Sequence, residues 1–297
     1  MKKEKYMFMD FINSYQDLIK SYAKYFNAHS FNQKIAEKNI QLIKENKYVI
    51  TNDIWKIDEE QNFSFISRII ELLKPYGKEF KKEIEKISMI FNNDISFSKQ
   101  FTLNVLQNGN KQISDFAKDY GISNEFVSFF SIIIAYPYRE AVAVFVKNKI
   151  ELKNHVSGFC PVCGHWPGIS YLTEEEGKKI MACIHCGTYW SFRRLKCSFC
   201  MTTDKNALGY LNIEGEKEVS AYVCDKCHRY LKTIRIKEDD VFAEKWGALI
   251  DYLRSSDIDI AAAQKNYIQE PILGTKFHGP EDPHLEMYLN KSEINCY

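Results

Sequence analysis

The chain is poor in residues that interrupt helices: it has 13 glycines and 7 prolines in 297 residues, and few of them precede residue 155. Long helices can therefore form in the first half. Net charge is nearly absent as well. A formal charge of +1 excludes a strongly polyanion-directed surface, and the eleven Lys or Arg against eight Asp or Glu between residues 156 and 236 are too small a surplus to argue for nucleic acid. No apolar run approaches the ~20 residues that cross a bilayer. The most apolar stretch, Phe126 to Tyr136, is eleven residues with two serines inside it and reads as a core helix. Residues Met1 to Tyr6 lack the apolar core and small-residue cleavage site of a signal peptide. There is no Gly-rich phosphate loop and no Ser/His/Asp arrangement in a recognisable context. With 45% hydrophobic residues the composition is that of a folded protein, long enough for two domains.

Cysteine is absent before Cys160 and then concentrated. Eight of the nine cysteines lie within 68 residues as four Cys-x-x-Cys pairs, Cys160/Cys163, Cys183/Cys186, Cys197/Cys200 and Cys224/Cys227, separated by 19, 10 and 23 residues. A Cys-x-x-Cys turn aims two sulfurs at one point, and two such turns make a tetrahedral four-thiolate site. Four turns imply two metal ions. Disulfides would need an oxidising compartment, which the N-terminus does not announce. A thioredoxin-like redox pair would be a lone motif opening a helix, whereas these pairs come in fours with strand-like flanks.

The two long gaps read as β-hairpins: Gly168 to Thr173 with Lys178 to Ala182, and Leu208 to Ile213 with Glu218 to Val223, turning at Gly177 and Gly215. After each closing pair the chain repeats a pattern, Tyr189, Arg194 and Lys196 in the first copy and Tyr230, Arg235 and Lys237 in the second. One duplicated unit of knuckle, hairpin, knuckle and strand accounts for this. It pairs Cys160, Cys163, Cys183 and Cys186 in one site and Cys197, Cys200, Cys224 and Cys227 in the other. A cross-braced pairing, first pair with third and second with fourth, is the alternative left open. Iron and zinc use the same four thiolates at nearly the same geometry, so the ligand set does not choose between them. His165, His185 and His228 lie beside knuckles but read as surface or turn residues, since four cysteines already serve each ion. Gly164 and Gly187 follow closing cysteines where a positive φ suits the turn. Met201 and His228 hold those places in the second copy, which predicts more strained knuckles there.

Elsewhere apolar residues recur at helical spacing. Phe11, Ile12, Tyr15, Leu18, Ile19, Tyr22 and Phe26 form one stripe, and Tyr76, Phe80, Ile84, Ile87 and Phe91 another. Further helices are predicted near 31–46, 62–74, 95–107, 112–119 and 124–149, with Pro137 expected to kink or break the last. Residues 113–127 look like a helix-turn-helix, but Asn124 to Phe130 is apolar and acidic where base contacts need Arg, Lys, Asn or Gln, so it reads as a packing unit. Glu238 to Asp240 should cap a helix carrying Phe242, Trp246, Leu249, Ile250 and Leu253. A shorter helix is predicted over 257–267, and beyond Pro271 the chain reads as irregular, with Cys296 an incidental thiol. The fold class is α+β, with a helical bundle over 1–155, four-cysteine ribbons of rubredoxin-like or zinc-ribbon type over 156–196 and 197–237, and a C-terminal helix and tail over 238–297.

The segments Cys160 to Gly164, Cys183 to Trp190, Arg193 to Cys200 and Cys224 to Lys232 together resemble the formate dehydrogenase accessory proteins of bacteria, a likeness covering roughly residues 155–267. It implies a cytoplasmic maturation factor, not an enzyme, that binds the catalytic subunit of a formate dehydrogenase and carries iron in rubredoxin-like sites. Two other readings belong to different classes. One is a nucleic-acid-binding zinc ribbon, in which Tyr189, Trp190, Arg193 and Arg194 would stack on and neutralise a strand. The other is a rubredoxin-like electron carrier. For partner binding the candidates are Arg194, Lys196, Arg235 and Lys237, read as an exposed basic ridge beside tyrosines that cover the knuckles.

Overall fold

In the computed structural model the described residues are 2–75, 80–91, 94–107, 110–152, 155, 157–213, 215, 218–237 and 247–269. The expected acidic cap at Glu238 to Asp240, the apolar positions Tyr76, Phe242 and Trp246, and the tail with Cys296 lie outside them. The chain divides into two compact units, Met1–Lys38 with Ile50–Phe145, and Asn39–Val49 with Val146–Tyr297.

The first unit is helical. Its helices are α1 (Lys2–Ser21), α2 (Ala23–His29), α3 (Gln33–Asn39), α4 (Glu59–Leu73), α5 (Lys81–Phe91), α6 (Ile95–Leu106), α7 (Asn110–Asp119) and α8 (Asn124–Lys147), the last residues of α3 and α8 falling in the second unit. Two starts are set by aspartate caps. Asp58 accepts from the Gln61 N–H and Asp94 from the Phe97 N–H, each at 2.9 Å, meeting donors that a first helical turn leaves unpaired. Asp58 is why α4 begins earlier than its apolar spacing suggests. Most of the predicted apolar stripes face inward, though Phe80 is exposed and Tyr22 half-buried, and Phe91, Phe101, Phe116 and Phe130 form a cluster with ring centroids 5.0–6.3 Å apart. In the helix-turn-helix look-alike, Phe126, Val127 and Phe130 are buried, as its packing role requires. Helix α8 is long and apolar enough to cross a membrane, but 78% of its apolar window is buried inside the protein.

One expectation is corrected: α8 runs through Pro137 without a break. Proline has no N–H for the carbonyl four residues earlier, which here belongs to Ile133. The buried Tyr15 hydroxyl from α1 donates to that carbonyl at 2.5 Å and replaces the missing bond. Full burial also pushes the phenol well above its usual pKa, reinforced by the charge of Glu140, so it stays a donor.

The second unit is built on one six-stranded sheet of order β3-β2-β1-β6-β5-β4. Its strands are β1 (Ile169–Thr173), β2 (Lys179–Ala182), β3 (Tyr189–Phe192), β4 (Leu208–Asn212), β5 (Val219–Cys224) and β6 (Arg229–Ile236). Each predicted hairpin is present, and each copy adds a third strand. The copies join where β1 pairs parallel with β6, Ile169 opposite Lys232 and Leu172 opposite Arg235. The second copy is therefore set beside the first by translation, and the chain leaving edge strand β3 must cross to the opposite edge to begin β4. The sheet is strongly curled. Lys179 on β2 and Tyr222 on β5 are three strands apart, roughly 14 Å in a flat sheet, yet the Lys179 ammonium lies 3.6 Å from the Tyr222 ring centroid.

Two short helices, α9 (Gly247–Arg254) and α10 (Asp257–Ala263), pack on the sheet. Ala221, Val223 and Tyr230 meet Ile258 and Ala262 in a small core. The buried Lys232 holds the helices down, bonding Asp259 at 2.7 Å and the Tyr252 carbonyl at 2.8 Å, because an ammonium taken from water needs such partners. Helix α10 stops short of the predicted Tyr267. Asn266 takes a positive φ of 61°, and the Tyr267 N–H closes on the Ala262 carbonyl at 3.1 Å, a left-handed helix stop.

Tyr15→Phe should destabilise the protein by about 1–3 kcal/mol, the cost of leaving a buried carbonyl unpaired. In a Pro137→Ala background, where an N–H returns, the same change should cost much less. Urea unfolding of the four proteins checks this. Equal costs in both backgrounds would disconnect the tyrosine from the proline.

Candidate metal centres

The four knuckles share one backbone plan. The N–H of the first cysteine donates to the carbonyl five residues on in three of them, Cys160 to His165 at 2.8 Å, Cys183 to Thr188 at 2.9 Å and Cys197 to Thr202 at 2.9 Å. In the fourth, Cys224 pairs with Arg229 across β5 and β6. Closing so tight a loop forces a positive φ on the residue after the second cysteine: 76° at Gly164, 70° at Gly187, 59° at Met201 and 53° at His228. The last two are the strained positions expected of the second copy. Glycine tolerates this backbone, whereas a residue with a Cβ is held there at a cost.

Cys160, Cys163, Cys183 and Cys186 converge in one cluster, and Cys197, Cys200, Cys224 and Cys227 in another, the sulfurs of each all within 4.8 Å of one another. The cross-braced pairing is not what the structure brings together. Sulfur separations of 3.6 Å for Cys160–Cys186, 3.4 Å for Cys163–Cys183, and 3.7 Å for both Cys197–Cys227 and Cys200–Cys224 are far beyond a disulfide bond. They match a tetrahedral thiolate site, whose edges are roughly 3.8 Å when metal–sulfur bonds are about 2.3 Å. The donor set therefore fits iron or zinc.

Four sulfurs this close cannot titrate independently. Cys163 is held well below the usual thiol pKa: full burial opposes ionisation but is outweighed by the sulfurs of Cys160, Cys183 and Cys186 and by the charge of His165. Cys183 is pushed well above it, by burial and then by the same crowding. In the second cluster contacts with Cys197, Cys224 and Cys227 depress Cys200, and Cys224 is lowered to about 7, chiefly by Cys197. Charge so divided among crowded sulfurs is what a bound cation would resolve.

The surroundings of the clusters differ. His165 and His185 are not surface residues: both are buried, their rings stack at 3.9 Å and 21°, and His165 Nδ1 lies 3.3 Å from the Cys163 sulfur. Their place in the first knuckles was visible in the sequence; their stacking needed two knuckles brought together. The Thr188 hydroxyl is 3.1 Å from the Cys186 sulfur, and the Val49 N–H bonds the carbonyls of Pro161 and Val162 at 3.3 and 3.0 Å. At the second cluster the Phe199 N–H reaches the Cys197 sulfur at 3.4 Å, and the Ile268 N–H braces the last knuckle through the His228 carbonyl at 2.8 Å. The buried Lys179 has its pKa lowered to about 7 by desolvation, against the opposing charge of Cys197.

Strand β3 ends at Phe192, so Arg194 and Lys196 lie in the turn leading to Cys197, while Arg235 lies near the end of β6 with Lys237 just beyond. Arg194, Arg235 and Lys237 are exposed, and Lys196 is half-buried with its ammonium 5.9 Å from the Phe192 ring centroid. Tyr230 donates to Asp259 at 2.8 Å, and Tyr189 packs against Tyr171 with centroids 6.0 Å apart.

Residues 195–272 match the family described as FdhE, C-terminal domain. Among curated relatives, the protein FdhE homolog of Aquifex aeolicus is 29% identical over 160 residues, 53% of this chain and 54% of that protein. The FdhE homolog of Haemophilus ducreyi is 32% identical over 113 residues, 37% and 35% of the two chains. The chain thus spans about half or less of the length of these relatives. By fold it is similar to the crystal structure of the FdhE protein from Pseudomonas aeruginosa, with a TM-score of 0.55 at 17% identity, covering 86% of this chain and 85% of that one. These matches bear out the resemblance drawn from the cysteine motifs.

Cys163→Ser should lower bound metal from two ions per chain to one and expose Cys183, not Cys224, to alkylation, as elemental analysis and peptide mapping would read. Gly164→Ala should be among the most damaging small substitutions, since its Cβ would sit 2.5 Å from the Tyr48 ring at a positive φ. Met201→Gly and His228→Gly should instead leave stability unchanged or raise it by up to about 1 kcal/mol, the left-handed strain relieved less the added chain entropy. Thermal unfolding of the metal-loaded variants separates these outcomes.

Proposed function

We propose, from the chain's likeness to the FdhE proteins, that it is a cytoplasmic accessory factor for assembly of a formate dehydrogenase, binding the catalytic subunit of that enzyme and carrying iron or zinc in two four-cysteine sites. The observation that carries this reading is the coincidence of the sequence likeness with the metal half of the chain. The matched residues 195–272 contain the whole second cluster, and the Aquifex match is the longer one. Eight cysteines in two sets of four would saturate both ions with sulfur, leaving no position for a substrate on the metal. The sites then serve to hold the sheet together and present its surface, so the chain is read as a binding protein and not a catalyst.

The basic residues Arg194, Arg235 and Lys237, with Lys196 partly behind them, are the proposed contact for an acidic surface of the client. Leu172, Lys179 and Phe192 lie in register with Arg235 across the sheet, and Arg194 follows Phe192 by two residues. The two arginines therefore belong to one end of the sheet. Charges at a rim chiefly steer association and set partner choice. Trp190, one of the residues that would stack on a strand in the nucleic-acid reading, is buried.

Charge reversal at both arginines, Arg194→Glu with Arg235→Glu, should weaken pull-down of the formate dehydrogenase catalytic subunit and lower formate dehydrogenase activity in cells, with metal content and unfolding midpoint unchanged. Full client binding by the double variant at physiological salt would remove these residues from the contact. Absence of client binding by the unmodified chain would overturn the assembly reading itself.

A further inference from the structure

The duplicated clusters are not equivalent. In the first, all four cysteines are 0% exposed. Its knuckles turn on Gly164 and Gly187, Tyr48 lies over the first of them, and His165 and Thr188 contact two of its sulfurs. In the second, Cys200 and Cys227 are partly exposed. Its knuckles turn on Met201 and His228, which hold a left-handed backbone without being glycine, and both of these side chains are exposed. Leu195, three-sevenths exposed at 43%, and Met201 at 38% leave apolar surface on either side of the Cys197/Cys200 knuckle.

We propose that the second cluster is the exchangeable metal site of the pair: it yields its ion to, and accepts a soft thiophilic ion from, a thiol-bearing partner or chelator that approaches through Cys200 and Cys227, while the first keeps its ion as a fixed structural centre. This rests on both clusters holding an ion. The physical grounds are access and strain. Ligand exchange at a saturated thiolate site begins when an incoming thiolate forms a new metal–sulfur bond and one resident bond breaks, the released sulfur taking a proton from water. No electron is transferred. The incoming group needs an open flank, which Cys200 and Cys227 supply and the first cluster does not. Release also lets the knuckle backbone relax, which is worth more at Met201 and His228 than at two glycines. Contacts to ligating sulfurs, such as those of His165 and Thr188, hold a site in its geometry and lower its exchange. The second cluster has backbone N–H groups in that role, Phe199 on Cys197, Thr202 on Cys200 and Cys227 on Cys224, and no buried side chain like His165 is found against its sulfurs among the described residues.

The test uses the full chain loaded with zinc, its content measured as two ions per chain before the experiment starts. A chromogenic chelator in excess reads release over time, while iodoacetamide pulses with peptide mapping read which cysteines open. The expected result is two phases of equal size, with Cys197, Cys200, Cys224 and Cys227 alkylated in the fast phase and Cys160, Cys163, Cys183 and Cys186 only in the slow one. Cys200→Ser should abolish the fast phase and leave the slow one at its original rate. Met201→Gly with His228→Gly should slow the fast phase alone, a readout that holds even where a cysteine variant misfolds. Release in a single phase, or alkylation of the first cluster ahead of the second, overturns the proposal. Fewer than two ions at the start overturns its premise and the metal reading with it.

Discussion

Four sulfurs drawn to within 3.4–3.7 Å along their close edges form a dense pocket of potential negative charge, and the second unit is organised to meet that condition twice. Each cluster takes two sulfurs from the knuckle that enters a hairpin and two from the knuckle that leaves it. The hairpin can close only if both knuckles arrive together, and the knuckles stay together only if the hairpin is in register. Pairings such as Ile169 with Ala182 and Leu208 with Cys224 are therefore as much a part of the sites as the cysteines. An ion bound at such a four-thiolate site would couple its binding to folding, an effect worth roughly 10–16 kcal/mol of apparent binding energy in structural zinc modules.

The way the duplicated units combine follows from the edges they leave. A three-stranded ribbon alone presents two unpaired edges, and the parallel joining of β1 to β6 removes one edge from each copy. Translation, not a twofold turn, relates the copies, so the linking segment must cross the sheet. Gly158 records how closely the pieces meet: a Cβ there would fall 1.8 Å from the Ser198 carbonyl oxygen, which brings the entry to the first knuckle against the second copy's first knuckle. The curl of the sheet places Lys179 over Tyr222 and gives its ammonium a π-face in place of water.

In the helical unit the recurring theme is a backbone polar group met by a side chain. Asp58 and Asp94 supply acceptors at helix starts, and Tyr15 supplies a donor where Pro137 withholds one. The aspartate caps are exposed and act within their own first turn, whereas Tyr15 reaches across 118 positions inside the apolar core and lets α8 continue where proline alone would interrupt its bonding.

The amino-acid sequence by itself determined the number of clusters, their ligands, both hairpins, the positive-φ positions at Gly164, Gly187, Met201 and His228, and the helical character of the first half, because all of these depend on spacing and on local backbone preference. The pairing within copies followed from the repeat of Tyr, Arg and Lys after each closing knuckle. The union of the ribbons in one curled sheet, the stacking of His165 on His185, the fate of Tyr230 under Asp259 and the survival of α8 across Pro137 were decided only by tertiary structure. Those features join residues 20 to 118 positions apart, through edges and single hydrogen bonds that leave no period in the sequence. The difference in exposure between the clusters belongs to the same class, since burial is set by the neighbours that fold over each copy.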